Sequence, residues 1–326
     1  MMKNYSKFLF LITLILGSML TLSSNNWLSM WMGLEINLIS FIPLITNYKN
    51  NSSESAMIYF MVQSIGSILF IASILMTSML IFKTFMELMT IISMTLKMGM
   101  APMHLWMPEI MEKMSWPNCM ILMTWQKLAP LSIMSYMENK MIIILAIYST
   151  MIGAIGGLNQ TSTRKIMAFS SINHLGWMNS TMWFNNQIWM KYFILYSMIT
   201  LIASTYMWMT SIFFINQFKS NVSMINKINL IIMMMSLGGL PPFLGFLPKW
   251  LVIQTMISNN MYIIVLIMIM STLLTLFYYL RMMSSILMMN QYSMKWELKN
   301  KKMNMMSSLF IIINMLLPMM SIISLN

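Results

Sequence analysis

Hydrophobic runs of about 20 residues, separated by short polar segments, make up most of the chain. Runs of this length can cross a bilayer as α-helices, because a helix rises about 1.5 Å per residue and the hydrocarbon core is about 30 Å thick. We count eleven of them, at residues 6–23, 27–46, 56–82, 86–114, 118–137, 141–158, 163–183, 188–214, 228–257, 261–288 and 305–325. The pattern predicts an all-α polytopic membrane protein whose residues 1–326 form a single membrane domain.

Two of these runs contain helix-breaking residues near their middle. Gly99 and Pro102 interrupt the fourth run, and Gly239 and Pro242 interrupt the ninth. The ninth run would also reach about 45 Å as one straight helix, which is longer than the core of the bilayer. Broken backbone is tolerated at membrane depth only where protein or water surrounds it. We therefore predict two broken helices that face the interior of the protein.

The two breaks share a spacing that indicates an internal repeat. The pattern G-x-x-P-x5-P begins at Gly99 and begins again at Gly239, and each copy lies in the fourth run of a group of five. Because five is an odd number, the second group would enter the membrane from the opposite side. The expected architecture is two five-helix inverted repeats, about 6–137 and 141–288, followed by a terminal helix at about 305–325.

Composition agrees with this class and excludes soluble ones. The chain is 59% hydrophobic and 8% charged, whereas soluble domains carry about 25% charged residues. Its net charge of +12 comes from basic residues that fall mostly in the predicted loops. Such charges report orientation in the membrane, so we expect membrane lipids around the chain and no nucleic-acid partner.

The loop charges are unequal on the two sides that the eleven runs define. One side carries twelve basic residues and the other carries three. The first set is Lys3, Lys7, Lys49, Lys113, Arg164, Lys165, Lys219, Lys227, Lys295, Lys299, Lys301 and Lys302, and the second is Lys83, Lys140 and Lys191. Since basic loops stay on the inner side, we expect the N-terminus in the matrix or cytoplasm and the C-terminus across the membrane.

Other compositional features limit the chemistry that this chain can perform. The 50 methionines, with abundant Ile, Asn and Lys, are typical of translation from an AT-rich mitochondrial genome, and no cleavable presequence is visible. A single cysteine, Cys119, excludes a cysteine-ligated iron-sulfur cluster. Two distant histidines make a metal site unexpected, and no nucleotide-binding motif follows a strand. Redox chemistry would therefore take place on another chain.

Four strongly charged residues lie well inside the hydrophobic runs, namely Glu35, Lys97, Lys127 and Lys249. A charge in hydrocarbon costs about 2.5–3.5 kcal/mol on insertion scales, so such groups face the protein interior and serve a function. Lysine suits proton relay because burial readily shifts its pKa. His174, inside the seventh run, is placed opposite Glu35 by the repeat and is a further candidate.

Each candidate also has a structural interpretation. Glu35 and Lys97 could form a static ion pair that fixes helix packing. Lys249 could extend from a helix end to the membrane interface. His174 could make a hydrogen bond between helices in place of relaying protons. His104 is expected at a break or at the membrane interface, and Glu109 and Glu112 are expected to form a solvated loop with Lys113.

Five segments of the chain together resemble a known family. They are LEINLISFIPL (34–44), LKMGMAPMHLWMPE (96–109), LMTWQKLAPL (122–131), GAIGGLNQTSTRKIMAFSSINHLGWM (153–178) and LGGLPPFLGFLPKW (237–250). These segments are similar to the chain 2 family of NADH-ubiquinone oxidoreductase, the mitochondrially encoded, antiporter-like membrane subunits of respiratory complex I, and to insect members in particular. The resemblance implies a multi-pass protein of the mitochondrial inner membrane, with its N-terminus in the matrix and its C-terminus in the intermembrane space.

The resemblance also implies a proton route in this chain and redox cofactors on partner subunits. By motif, the route uses Glu35, Lys97, Lys127 and Lys249, and a proton leaves Lys97 when its partner Glu35 is neutralised. No cofactor is expected on this chain, while NADH, FMN, iron-sulfur clusters and ubiquinone are expected on partner subunits. Chains 4L and 4 of the same complex are the expected neighbours.

Three functions remain open: a proton-translocating subunit of a redox complex, a stand-alone monovalent cation/proton antiporter, and a passive scaffold. A sodium site needs several oxygen ligands, and the sequence has no aspartate and no dense carboxylate cluster inside the membrane. The organelle-like composition favours the first function.

Overall fold

The structure is a computed structural model that describes residues 4–46, 50–77, 83–137, 139–184, 187–219 and 224–287. Across these ranges the chain forms α-helices joined by short connections, without a β-strand. Helices occupy the predicted hydrophobic runs throughout this part of the chain, so the fold is all-α as expected. The predicted terminal helix, 305–325, and the lysines between 295 and 302 lie outside the described residues.

The chain divides into two compact units, Met1–Ser149 and Thr150–Asn326. The first unit contains α1 (Asn4–Ser23), α2 (Trp27–Ile45), α3 (Asn50–Thr77), α4 (Lys83–Met98), α5 (Trp106–Lys113), α6 (Trp116–Met123) and α7 (Trp125–Ser135). The helix α8 (Met141–Gly157) begins in the first unit and ends in the second. The second unit continues with α9 (Thr163–Met182), α10 (Ile188–Met209), a 3₁₀ turn (Ile215–Lys219), α11 (Met224–Gly238), α12 (Phe246–Ser258) and α13 (Tyr262–Leu287).

Five of the described helical segments are long and apolar enough to cross a membrane individually. They are Tyr5–Ser23, Trp27–Ile45, Ser52–Met76, Ile188–Met209 and Tyr262–Ser284. Two shorter apolar helices, Met141–Gly157 and Ile228–Gly238, fall below that length. These helices are consistent with a multi-pass membrane protein, while the count of eleven crossings stays a prediction.

In the first unit, α1 and α2 pack through glycines. A Cβ atom at Gly17 would lie 3.0 Å from the Gly33 carbonyl oxygen and 3.0 Å from the Asn37 backbone nitrogen. A Cβ atom at Gly33 would lie 2.7 Å from the Gly17 carbonyl oxygen. Small residues allow two membrane helices to approach this closely and gain van der Waals contact. The crossing of α1 and α2 therefore depends on glycine at both positions.

In the second unit, α8 packs against α9 in the same manner. A Cβ atom at Gly153 would lie 2.8 Å from the Phe169 carbonyl oxygen and 2.6 Å from the Asn173 backbone nitrogen. When the two helix crossings are compared by these contacts, Asn173 occupies the position that Asn37 occupies in the first unit. The residue that corresponds to Glu35 is then Ser171. The alignment of Glu35 with His174 was wrong by three residues, because the repeat spacing near the breaks differs from that at this crossing.

The fifth predicted run, 118–137, is interrupted, which the hydrophobic pattern did not indicate. Helix α6 ends and α7 begins around Thr124, whose backbone angles are φ −111° and ψ −75°. The Thr124 hydroxyl donates a hydrogen bond of 2.8 Å to the Met120 carbonyl oxygen. Threonine hydroxyls compete in this way for helix carbonyls and often bend the helix. The interruption falls three residues before Lys127.

At the end of α5, Lys113 joins two acidic side chains. Its Nζ lies 3.1 Å from Glu54 Oε2 and 3.6 Å from Glu109 Oε1, and all three side chains are partly or largely exposed. The hydrogen bond from Lys113 to Glu54 is the main cause that raises the Lys113 pKa above its ordinary value. The prediction of a solvated loop here was wrong, because Glu109, Glu112 and Lys113 lie on α5, but the ion pair of Glu109 and Lys113 is present. Lys113 also connects α5 to the start of α3.

Candidate functional site

The first break begins where α4 ends at a glycine. Gly99 has φ +70°, a left-handed conformation that glycine adopts without steric cost. Its N–H donates to the Leu96 carbonyl oxygen at 3.2 Å, and the Met100 N–H donates to the Thr95 carbonyl oxygen at 3.0 Å. This pair of hydrogen bonds is the Schellman arrangement that ends helices. His104 follows, half-buried, with Nδ1 3.1 Å from the Pro102 carbonyl oxygen, as expected for a residue at the break.

Side chains from two other helices satisfy the carbonyl groups at the end of α4. Gln63 Nε2, from α3, donates to the Lys97 carbonyl oxygen at 3.0 Å. Trp106 Nε1, from α5, donates to the Leu96 carbonyl oxygen at 3.1 Å. The last carbonyls of a helix have no partner within the helix, and they are costly to leave unpaired in an apolar setting. Neutral donors therefore stabilise this helix end.

The Lys97 side chain lies in the last turn of α4 and is 5% exposed. Its aliphatic part packs on Gly66 of α3, where a Cβ atom would lie 3.0 Å from Lys97 Cγ. Glu35 acts electrostatically on Lys97. Within the described part of the chain, however, no nitrogen–oxygen contact of 4.0 Å or less pairs Lys97 with a carboxylate. Glu35 and Lys97 therefore do not form the predicted static ion pair in this structure.

Lys127 lies on α7 and is fully enclosed, with 2% of its surface exposed. The residue before it, Gln126, connects α7 to two other helices. Gln126 Nε2 donates to Asn37 Oδ1 of α2 at 3.0 Å, and Gln126 Oε1 accepts from the Tyr59 hydroxyl of α3 at 3.3 Å. These bonds fix the helix that carries Lys127 against the helix that carries Glu35.

The second break repeats the backbone geometry of the first. Gly239 has φ +76°. Its N–H donates to the Ser236 carbonyl oxygen at 3.0 Å, and the Leu240 N–H donates to the Met235 carbonyl oxygen at 3.2 Å. A cis peptide bond precedes the proline of each break, at Ala101-Pro102 and Pro241-Pro242. The two occurrences of the G-x-x-P-x5-P motif thus form the same helix end.

Lys249 lies on α12, beyond the second break, and is 6% exposed. Its Nζ donates a hydrogen bond of 2.7 Å to the Gly238 carbonyl oxygen, at the end of α11. A Cβ atom at Gly239 would lie 2.9 Å from this Nζ, so glycine also provides the space that Lys249 occupies. The negative end of a helix dipole favours a cation at this place. The interpretation that Lys249 extends to the membrane interface was wrong.

His174 lies on α9 and is 8% exposed. Its Nδ1 is 2.8 Å from the Tyr192 hydroxyl, and its ring centroid is 5.0 Å from that of Tyr196, both on α10. The predicted hydrogen bond between helices is confirmed, and a relay role stays a prediction. His174 also borders a small cavity of about 10 Å³, whose lining is completed by Tyr192, Tyr196, Ile199, Ser236, Leu237, Gly245 and Pro248.

The structure thus distributes the predicted residues between the units. Glu35, Lys97 and Lys127 belong to the first unit, and His174 and Lys249 belong to the second. Each unit contains a broken helix with a buried lysine close to the end of its first half. A buried amine at such a place can hold and release a proton while the helix end remains capped.

Sequence reasoning missed the residues of α3 that contact the site, namely Gln63 and Gly66 at Lys97 and Tyr59 at Gln126. A signal for this helix was available, because YFMVQSIGS at 59–67 resembles YSMITLIAS at 196–204 on α10. The shared tyrosine and the small residue seven positions later mark one face of each helix.

Comparisons with known proteins decide the family. A family model described as NADH:quinone oxidoreductase/Mrp antiporter, TM, matches residues 24–275. A protein of Anopheles gambiae is 46% identical over 325 residues, which cover 96% of this chain and 95% of that protein. A protein of Locusta migratoria is 45% identical, with 80% and 79% covered, and one of the mammal Halichoerus grypus is 36% identical, with 96% of each covered. All three are named NADH-ubiquinone oxidoreductase chain 2.

The chain belongs to the NADH-ubiquinone oxidoreductase chain 2 family. Solved structures agree with the fold of a chain 2 member. A chain of respiratory complex I from Thermus thermophilus has a TM-score of 0.84 at 18% identity, covering 97% of this chain and 80% of that one. A chain of the Mrp complex from Dietzia has a TM-score of 0.74 at 13% identity, covering 85% and 60%. At these identities the likeness is one of fold.

Proposed function

We propose that this chain is a proton-translocating membrane subunit of NADH:ubiquinone oxidoreductase, and that it lies as a multi-pass protein in the mitochondrial inner membrane. One observation carries the proposal. In a chain of the chain 2 family, two broken helices each hold a buried lysine, Lys97 or Lys249, close to the end of a half-helix. Broken helices of this kind form ion sites in many transporters.

In the first unit, proton transfer depends on Glu35 and Lys97. An ionised Glu35 stabilises the ammonium form of Lys97, so neutralising Glu35 favours release of the proton. Packing on Gly66 and capping by Gln63 keep the side chain and its helix end in place during this change. Lys127, enclosed on the neighbouring α7, is the proposed acceptor, and water bridges distances too long for a direct hydrogen bond.

In the second unit, Lys249 can gain or lose a proton while its side chain keeps the same position. An ammonium group has three N–H donors and the neutral amine retains two. Either form can donate to the Gly238 carbonyl oxygen, so the helix end stays capped when the proton leaves. His174 is proposed as a further member of the relay in this unit.

The finer features of the proposal come from the sequence and the family. The N-terminus lies in the matrix and the C-terminus in the intermembrane space, as the loop charges favour. Residues of about 6–137 and 141–288 form two five-helix inverted repeats, an assignment supported by the matching glycine geometry of Gly99 and Gly239. Chains 4L and 4 are neighbours in the complex, and NADH, FMN, iron-sulfur clusters and ubiquinone belong to partner subunits.

Replacement of Lys97 tests the proposal. In assembled complex, Lys97→Met should lower redox-driven proton pumping by on the order of 10²-fold, since a positioned proton carrier commonly contributes that much. Assembly should be largely retained, because methionine fills a similar volume. The readout is proton uptake per NADH oxidised by purified complex in vesicles.

Lys191→Met is the matched control for Lys97→Met, because Lys191 is exposed and the change in composition is identical. Normal pumping by a fully assembled Lys97→Met complex would refute the relay role of this lysine.

The similarity of fold to a chain of the Mrp complex keeps a second candidate, a monovalent cation/proton antiporter that works without a redox complex. Fractionation of a detergent extract separates the two. Co-migration of this chain with NADH dehydrogenase activity supports the redox subunit. A chain that migrates apart from that activity, and that exchanges cations for protons in vesicles, would instead be the antiporter.

A further inference from the structure

Tyr192 is a buried titratable residue to which the relay assigns no role. It lies on α10, is 1% exposed, and places its hydroxyl 2.8 Å from His174 Nδ1. Tyr196 lies one helical turn further along α10 and packs its ring beside the same imidazole, at 5.0 Å between centroids. Two aromatic residues at i and i+4 therefore hold one histidine from a single helix face.

A tyrosine hydroxyl can serve both protonation states of this histidine. It accepts from Nδ1–H both when the neutral imidazole carries its single proton on Nδ1 and when Nε2 carries a second proton. The same contact therefore persists as His174 gains or loses a proton, and the ring keeps one orientation. Phenylalanine has the same shape but can neither donate nor accept.

The imidazole held by Tyr192 borders the second break. The cavity beside it is lined by Leu237, next to the Gly238 carbonyl oxygen that Lys249 binds, and by Pro248, the residue before Lys249. Its lining also includes the Ser236 and Gly245 backbone region, where the break folds back on the end of α11. The titratable groups of α10 that line this cavity with His174 are Tyr192 and Tyr196.

We propose that Tyr192 is a positioning residue for proton transfer at the second break: it holds His174 in one orientation at this cavity in both protonation states. The transfer moves one proton. An N–H bond of the Lys249 ammonium breaks, its electron pair stays on Lys249, and an N–H bond forms at Nε2 of the imidazole, with water passing the proton between them. This inference rests on the proposed relay function.

The test compares Tyr192→Phe, His174→Gln and the double variant in assembled complex. Proton uptake per NADH oxidised is measured in vesicles over a series of pH values. Tyr192→Phe should lower this ratio about fivefold, which corresponds to loss of one hydrogen bond, and should alter its pH profile. In the His174→Gln background, Tyr192→Phe should cause no further loss, because it acts through the histidine.

Tyr206→Phe, at another buried tyrosine of α10, is the matched control and should pump normally. The inference is overturned if Tyr192→Phe keeps a normal ratio and pH profile, or if its effect adds fully to that of His174→Gln. It is also overturned if Tyr192→Phe alone prevents assembly, since the residue is then structural. Normal pumping by Lys97→Met would instead refute the proposed function, so the two failures are distinguishable.

Discussion

The two broken helices have the same backbone conformation at the break. Different groups donate hydrogen bonds to the helix end at each break. At the first break, neutral donors from Gln63 and Trp106 cap the end of α4, and the charge of Lys97 is not used for capping. At the second break, the ammonium group of Lys249 itself donates to the end of α11. The glycine motif thus determines where a helix stops, while the surrounding helices determine what the adjacent lysine does.

Because of this difference, changes in neighbouring charge should affect proton release from the two lysines differently. Lys97 precedes its break, and the proposed relay pairs it with a carboxylate on another helix, Glu35. Lys249 follows its break and is held by a carbonyl group whose charge does not change. We infer that the first lysine is the one whose proton can be controlled by a neighbouring titration, and that the second offers a constant environment. Four substitutions at the two breaks test how far the breaks differ.

The largest effect is expected at Gly245, where the second break packs most tightly. A Cβ atom there would lie 1.6 Å from the Ser236 carbonyl oxygen, and backbone cannot yield as a side chain can. Gly245→Ala should prevent assembly of the chain into its complex, as judged by native electrophoresis. The control is Leu105→Ala at the equivalent place of the first break, where the side chain is 73% exposed and should be dispensable. Equal assembly of the two variants would contradict the difference in packing.

A smaller effect is expected when alanine replaces the glycine that ends each first half-helix. Both Gly99→Ala and Gly239→Ala should destabilise the chain by about 1–2 kcal/mol, because each position is left-handed. Gly239→Ala should in addition lower pumping, since its methyl group would displace the Lys249 ammonium. The measurements are thermal dissociation of the complex and proton uptake per NADH. Equal loss of pumping in both variants would contradict the proposed difference between Lys97 and Lys249.

The smallest effect on pumping is expected from the neutral cap of the first break. Gln63→Leu removes the donor to the Lys97 carbonyl oxygen and leaves a buried acceptor unpaired, at a cost of about 1–3 kcal/mol. Thermal dissociation of the complex should shift downward, while pumping per NADH stays close to normal because the Lys97 ammonium is untouched. A variant with unchanged thermal stability would show that this bond does not support the break.

The breaks could be predicted from sequence because their signals are local. Only glycine takes a left-handed conformation without cost, so Gly99 and Gly239, each followed by proline, identify the helix ends. The buried position of Lys97 followed from its place inside an apolar run. The partners of these residues could not be predicted, because Gly66 and Gln63 resemble many other residues of an apolar helix until α3 and α4 are packed together.

Two errors show where such reasoning ends. The spacing of 140 residues that relates Gly99 to Gly239 does not hold at the crossing of α1 with α2 and of α8 with α9, so it misaligned His174. The interruption at Thr124 has no glycine or proline at that position, and a threonine inside a hydrophobic run is usually compatible with a continuous helix. The first error reflects the packing of two helix pairs, and the second a hydrogen bond from a side chain to its own helix; sequence periodicity reports neither.

Helix α9 carries a consequence for the biogenesis of the protein. Its side chains are buried from Ile166 to Met182, although it is not among the described helices apolar enough to cross a membrane alone. Hydroxyls such as that of Ser170 donate to their own helix, to Met167 in this case, and His174 needs Tyr192 of the following helix. Polar segments partition poorly from the translocon into lipid. We expect α9 to remain at the insertion machinery until α10 has been synthesised. The two helices should then enter the bilayer together.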